Sequence, residues 1–70
     1  MKEFQLNDSE HIDLCDLLKL MDLVPNGAAG KNAVASGAVL VDGKVELRKR
    51  CKIRAGQTIE FKGSLIKVVQ

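Results

Sequence analysis

The sequence predicts an α+β fold in which two short helices pack on a small, mostly antiparallel sheet. Apolar residues recur at helical spacing in the first half of the chain, and short alternating runs separated by glycine turns fill the second half. The 70 residues suit one domain, which we place over residues 1–70. An apolar content of 46% with 29% charged residues is typical of a folded chain and argues against general disorder.

The N-terminal third predicts a strand followed by an amphipathic helix. Lys2 to Leu6 alternates polar and apolar residues, which is typical of a short edge strand. Asn7 and Glu10 have the spacing of a capping box, so we expect the first helix to run from Glu10 to about Met21. Its apolar face is predicted to be Leu14, Leu17, Leu18 and Met21, and its solvent stripe Asp13, Asp16, Lys19 and Asp22.

A second helix is predicted after the break at Pro25. Asn26 is a favourable N-cap and Gly37 a favourable stop, so the helix is expected to span Gly27 to Ser36. The residues expected to face inward are small, which permits close approach to a neighbouring element: Ala29, Gly30, Ala33 and Val34.

The remaining chain predicts strands joined by tight turns. Asp42-Gly43 between Ala38–Val41 and Lys44–Leu47 is a strong hairpin signal. A two-residue turn pairs Leu40 with Val45, whereas Val39 and Val41 form the better apolar stripe, so the buried face stays open. Two further strands are predicted at Thr58–Phe61 and Leu65–Val69.

Neither secretion nor membrane insertion is predicted. The first residues contain no long apolar run, so we expect a cytoplasmic protein without a membrane partner. In that reducing compartment Cys15 and Cys51 are expected to be free thiols.

Charge is distributed unevenly along the chain. Residues 1–30 carry two cations against six anions, a net −4, and residues 31–70 carry nine cations against three anions, a net +6. Five of the seven residues from Arg48 to Arg54 are cationic, an arrangement that is self-repulsive but suits phosphates. Lys31, near the start of the second helix, is a candidate to extend such a phosphate site. Charge alone does not distinguish RNA from DNA, and a solvated loop that only aids solubility remains an alternative.

Catalytic and metal-binding interpretations find little support. His11 and Cys15 are four residues apart on the predicted helix, but a metal site needs a third ligand, for which Cys51 is the only soft candidate. A Cys–His nucleophile lacks an orienting group and an oxyanion loop. No phosphate loop, dinucleotide fingerprint or serine elbow is present. We therefore expect no enzymatic activity, no cofactor and no metal.

The order of these elements resembles a known family. Two helices, then Gly37–Gly43, a basic stretch, and Ala55–Phe61 are similar to the RNA-binding domain named after small-subunit ribosomal protein S-four, also called the αL motif. That domain occurs in the ribosomal protein, in pseudouridine synthases and in tyrosyl-tRNA synthetases. The segments Leu14–Leu20 and Arg48–Ile53 look closer still to a branch of small stand-alone bacterial proteins.

Four positions depart from the usual family pattern. Asn26 and Gly27 stand where a Ser-Arg pair is usual, so the arginine that commonly meets phosphate is missing. Asp42 replaces a common Asn, and Gln57 a common Asp. The resemblance then shifts the expected RNA contacts to six other cations: Lys31, Lys44, Arg48, Lys49, Arg50 and Lys52.

The resemblance implies non-catalytic binding of structured RNA, either ribosomal or transfer RNA, in ribosome assembly or translation. The absence of Trp and Tyr disfavours recognition by base stacking, so shape and backbone contacts are expected. We expect a monomer. The alternative is a protein-interaction module that docks an acidic partner through the basic run. A third hypothesis places a thiol or metal site at His11 and Cys15.

Overall fold

A computed structural model describes all residues from 1 to 70 and confirms the α+β prediction. The two helices are α1 (Leu14–Leu20) and α2 (Gly27–Ala35). The seven strands are β1 (Lys2–Gln5), β2 (Ile12–Asp13), β3 (Val39–Val41), β4 (Lys44–Val45), β5 (Lys52–Ile53), β6 (Thr58–Phe61) and β7 (Ser64–Val69). Neither helix has the length and apolar content needed to cross a membrane.

Five strands form one mixed sheet in the order β1-β7-β6-β3-β4, and β2 pairs with β5 in a separate two-stranded ribbon. All pairs are antiparallel except β1 with β7. That parallel pair joins the two ends of the chain, and it confirms the predicted edge position of β1. Both ends of the chain are therefore held by the same sheet.

The β3–β4 register resolves the conflict left by the sequence. Leu40 pairs with Val45, as a two-residue turn requires, and Asp42 and Gly43 take positive φ values of 51° and 84°. Val39 is fully buried, whereas Val45 is 56% exposed. The Val39 stripe therefore faces the core, and the Leu40–Val45 pair lies on the outer face of the sheet.

A single apolar cluster lies between the helices and the sheet. No polar or charged residue is buried in it. Its members come from both helices and from most strands: Leu6, Leu14, Leu17, Leu18, Val24, Val34, Val39, Ile53, Ile59, Phe61, Ile66 and Val68. The predicted apolar face of α1 is thus confirmed, with Met21 packing at its margin.

The predicted start of the first helix was wrong. Asn7 and Asp8 adopt positive φ values of 52° and 72°, so they form a turn and Asn7 does not cap a helix. Ile12 and Asp13 then extend to pair with β5, and the helix begins only at Leu14. Local capping chemistry was overridden by a long-range strand pairing. One consequence is that His11 lies outside the helix, so the predicted helical His11–Cys15 pair does not form.

The second helix matches its prediction to within one residue. The Asn26 side chain accepts a 2.8 Å hydrogen bond from the backbone N–H of Ala29, and Gly37 ends the helix with a φ of 82°. A Cβ added at Gly30 would lie 2.8 Å from the carbonyl oxygen of Cys15. Gly30 therefore allows α2 to cross α1 in backbone contact.

Candidate nucleic-acid interface

Residues 48–52, here called the basic loop, carry four of the predicted cations and contain a β-turn. The backbone N–H of Cys51 donates to the Arg48 carbonyl oxygen at 3.1 Å, which puts Lys49 and Arg50 at the two central positions of the turn. Both residues are exposed. The turn thus presents two neighbouring cations to solvent.

The backbone of the basic loop is anchored on the first helix. The N–H groups of Leu14 and Cys15 donate to the carbonyl oxygens of Cys51 and Lys49 at 2.9 and 3.1 Å. No side chain caps α1, so these carbonyls satisfy N–H groups that a helix start otherwise leaves open. Because the carbonyls are committed to the helix, the loop is fixed in place while its side chains remain outside.

Arg48 differs from the other cations of the basic loop. Its Nε and one terminal guanidinium nitrogen donate to the two carboxylate oxygens of Glu46 at 2.9 and 3.0 Å, and its backbone N–H donates to the same carboxylate at 3.0 Å. This is the only ion pair in the chain. Hydrogen bonds from the Arg48 side chain and backbone lower the pKa of Glu46 to about 2, and the pKa of Arg48 is raised in return. Arg48 was predicted as an RNA contact, and the structure adds that its guanidinium is already bound by the Glu46 carboxylate.

A surface depression of about 390 Å³ is lined by Arg48, Arg50, Cys51 and Lys52. The Arg48 guanidinium lies 3.7 Å from the Cys51 sulfur, so the thiol lines the depression next to the ion pair. Burial, reinforced by the Glu46 carboxylate, raises the pKa of the Cys51 thiol. The neutral thiol leaves the depression lined by cations, which suits an anionic group.

The other predicted cations differ in their positions, and of them Lys52 lines this depression. Lys52 is exposed on β5 and is paired in register with Asp13, without an ion pair between them. Lys31 is half-buried and follows Gly30, which touches Cys15 from the side of α2. Since the N–H of Cys15 donates to the Lys49 carbonyl oxygen, Cys15 contacts both Gly30 of α2 and the basic loop.

Lys44 stands apart from the basic loop. It is exposed beside the Asp42-Gly43 turn, at the tip of the β3–β4 hairpin. The structure thus joins Arg48, Lys49, Arg50 and Lys52 in one loop and leaves Lys44 on a separate hairpin. It connects Lys31 to the loop only indirectly, because Gly30 lies against Cys15 and Cys15 bonds to the loop.

Sequence reasoning missed the roles of Glu46 and Cys51. The Glu-x-Arg spacing was visible, but whether residues two apart face each other depends on the backbone after β4, which a sequence pattern does not define. Cys51 was considered as a free thiol and as a metal ligand, and the role of its backbone carbonyl, which accepts from the first N–H of α1, was not predicted.

The alternative chemical site finds no geometry to support it. No three side chains of His, Cys, Asp or Glu come together as metal ligands would. Nδ1 of His11 is buried without a hydrogen-bond partner, and His11 itself is half-buried. Cys15 is buried and Cys51 half-buried, and both are free thiols as predicted.

A second, larger groove of about 490 Å³ lies between α2, residues 23–25 and the end of β6, and it is lined mainly by apolar residues. Lys62 is the only charged residue that lines it, and its ammonium lies 5.3 Å from the centre of the Phe61 ring. The groove therefore lacks the cations that a phosphate chain requires.

Comparisons with known proteins agree with this architecture. A family model described as the S4 domain matches residues 4–69. The chain belongs to the S4 domain family. The resemblance inferred from its motifs is thereby confirmed, including the similarity to a small bacterial branch. YbcJ of Escherichia coli (strain K12) and YbcJ of Shigella flexneri are each 54% identical over 69 residues, which cover 99% of both chains.

A solved structure supports the same S4 assignment. The solution structure of YbcJ from Escherichia coli, described as revealing an αL motif involved in RNA binding, matches with a TM-score of 0.77 and 53% identity. The match covers 100% of the present chain and 89% of that one. The two proteins therefore share one fold over the whole length of the present chain.

Proposed function

We propose that this S4 domain binds structured RNA without catalysing a reaction on it. The observation that carries the proposal is the basic loop, whose backbone is fixed on α1 while Lys49, Arg50 and Lys52 remain exposed and unpaired. Membership of the S4 family, and the RNA-binding αL motif described for the similar YbcJ, support it.

Phosphate contacts are the physical basis of the proposed binding. Each phosphate neutralised by a Lys or Arg releases counterions, and exposed cations without anionic partners are free to do so. Lys49, Arg50 and Lys52 make these contacts in our proposal, with Lys31 and Lys44 on the flanks. Arg48 lines the same depression, and its share is limited by Glu46.

Recognition by shape is favoured over base stacking. The only two aromatic residues are Phe4, which is half-buried, and Phe61, which is 4% exposed. Proteins that read single strands usually stack bases on exposed aromatic rings. A folded RNA, recognised through its backbone, is therefore the expected ligand. We expect ribosomal or transfer RNA, bound by a cytoplasmic monomer in ribosome assembly or translation.

The salt dependence of binding tests the proposal. We expect the slope of log affinity against log salt, measured with a folded hairpin of ribosomal RNA, to fall by about 2 in the Lys49→Ala/Arg50→Ala variant. The matched control is Lys62→Ala/Lys67→Ala, which removes the same charge from exposed positions outside the basic loop. Equal slopes for the two variants would show that only net charge matters and would overturn the proposed surface.

Three further probes test the class of ligand. A single-stranded RNA of equal length and a DNA hairpin of equal sequence are both expected to bind more weakly than the RNA hairpin. Polyglutamate of matched charge is expected not to displace the RNA. Displacement by polyglutamate at equal charge would instead support the acidic-protein alternative, and equal affinity for the single strand would contradict recognition of folded RNA.

A further inference from the structure

Arg54 was not among the predicted contacts, although it belongs to the same cationic run as the basic loop. Ile53, the residue before it, is fully buried, whereas Lys52 and Arg54 are both exposed. Side chains alternate along an extended chain, so Lys52 and Arg54 project from the same side, about 6–7 Å apart at their Cα atoms. That separation is of the same order as the spacing of successive phosphates in a polynucleotide strand.

The backbone of Arg54 is held from both sides by Gln57. The N–H of Arg54 donates to the Gln57 side-chain oxygen at 2.8 Å, and the N–H of Gln57 donates to the Arg54 carbonyl oxygen at 3.3 Å. Gly56, within this turn, has a φ of 95° and donates its N–H to the Val68 carbonyl oxygen at 2.8 Å. The turn is thus tied to β7, and binding does not have to order the Arg54 backbone.

The nearby carboxylate is already engaged. Asp42 accepts hydrogen bonds from the backbone N–H of Thr58 at 2.9 Å and from the Gln57 amide nitrogen at 3.4 Å. Arg54 makes no ion pair with it or with any other acid. The Arg54 guanidinium is therefore free to bind an anion.

The hydrogen bonds around Arg54 also reach the second part of the proposed interface, the hairpin that carries Lys44. The turn at Arg54 is bridged by Gln57 to Asp42, which starts the hairpin turn beside Lys44. Hydrogen bonds therefore link the backbone at Arg54 to the hairpin turn that precedes Lys44, and Lys52 lies two residues before Arg54 in the basic loop.

We infer that Arg54 binds a phosphate of the RNA backbone between those met by Lys52 and Lys44, and that Gln57 is a positioning residue for it. This inference rests on the proposed function and extends the interface beyond the basic loop to a continuous line of cations. An RNA that contacts the whole line presents several successive phosphates of one strand.

Titration of binding against salt, with the folded ribosomal RNA hairpin, tests the inference. Arg54→Ala is expected to lower the slope of log affinity against log salt by about 1, whereas Lys62→Ala, at the opposite end of β6, leaves the slope unchanged. Gln57→Ala keeps every charge, so it is expected to weaken RNA binding with an unaltered salt slope. Binding is measured at a temperature where circular dichroism shows both the wild type and Gln57→Ala to be folded.

The outcomes separate this inference from the proposed function. If Lys49→Ala/Arg50→Ala lowers the slope and Arg54→Ala behaves like Lys62→Ala, Arg54 is not a contact, although the RNA-binding proposal stands. If Gln57→Ala binds as tightly as the wild type, its positioning role is overturned. If no cation variant changes the slope, the proposed function itself fails.

Discussion

Arg48 and Glu46 form a bidentate ion pair at the entrance to the basic loop. The guanidinium nitrogens of Arg48 lie 2.9 and 3.0 Å from the two carboxylate oxygens of Glu46, and one of them also reaches the Cys51 sulfur at 3.7 Å. Arg48 thereby links Glu46, two residues before it, to Cys51, the residue that closes the turn. The pair holds the shape of the loop and neutralises one of the loop's cations.

Replacing Arg48 with lysine keeps the positive charge and removes the planar guanidinium, so it tests which of the two properties RNA binding requires. A lysine ammonium is a point charge and does not match both carboxylate oxygens as a planar guanidinium does. Arg48→Lys is therefore expected to weaken RNA binding while leaving the salt slope unchanged, as measured by fluorescence anisotropy at several salt concentrations. Lys49→Arg, a conservative exchange in the same turn without an ion pair, is the control. Wild-type affinity in Arg48→Lys would mean that Arg48 acts through charge alone.

The same ion pair makes a prediction about pH. Glu46 has a lowered pKa of about 2 in the folded protein, so its contribution to stability is present above its unfolded pKa and is lost as pH falls through about 2. We expect the Glu46 carboxyl carbon to titrate near pH 2 by NMR, and at a higher pH in Arg48→Ala, which removes the guanidinium but keeps the backbone N–H. Identical midpoints in the two proteins would show that Arg48 does not stabilise the carboxylate.

Close contact between the helices predicts a steric effect at Gly30. A Cβ there would lie 2.8 Å from the Cys15 carbonyl oxygen, whereas a Cβ at Gly27 meets nothing within 4 Å. Gly30→Ala is expected to destabilise the fold by about 1–3 kcal/mol, despite the better helix propensity of alanine. Urea unfolding measures the change, with Gly27→Ala as the control that should unfold at the wild-type midpoint or above. A stable Gly30→Ala would show that the helices separate at little cost.

Local signals in the sequence predicted the elements that are defined locally. Asn26 and Gly37 delimit α2, and Asp42-Gly43 defines the hairpin turn, because each residue acts within its own segment. The strands β2 and β5 were missed because each has two residues and exists only through pairing with the other.

The start of α1 was misplaced for a related reason. Its first N–H groups bond to carbonyls of the basic loop, which lies far along the chain, and no pattern near Leu14 indicates this. At the candidate site, the clustering of cations was visible in the sequence. Which cation already has an anionic partner depended on the path of the chain after β4, and only the structure defined it.

Cys51 provides a chemical probe of the interface. It is half-buried in the cationic depression, whereas Cys15 is 2% exposed, so iodoacetamide is expected to modify Cys51 alone in the folded protein. The raised pKa of Cys51 leaves less thiolate at pH 8 than an ordinary thiol has, so alkylation should be slower than that of free cysteine. Bound RNA hairpin is expected to slow it further, measured by mass spectrometry.

Two results would contradict this prediction for Cys51. An alkylation rate that is indifferent to saturating RNA would place the ligand elsewhere on the surface. Labelling of the folded Cys51→Ser variant would show that Cys15 is accessible, contrary to its burial.

Gly27 offers a gain of function. It stands where the resemblance to the family implies an arginine, its φ is not positive, and a Cβ added there meets no atom within 4 Å. It follows the N-cap Asn26 at the start of α2, three residues before Gly30, which lies against Cys15. Gly27→Arg is therefore expected to fold normally, bind the RNA hairpin more tightly and raise the salt slope by about 1.

Two controls at Gly27 isolate the charge. Gly27→Ala removes the glycine without adding a cation, and it is expected to bind with wild-type affinity. Gly27→Gln adds a long polar side chain without charge, so a gain shared with Gly27→Arg would point to hydrogen bonding instead of phosphate neutralisation. If Gly27→Arg leaves both affinity and slope unchanged, the start of α2 does not face the RNA, and Lys31 loses its place in the interface.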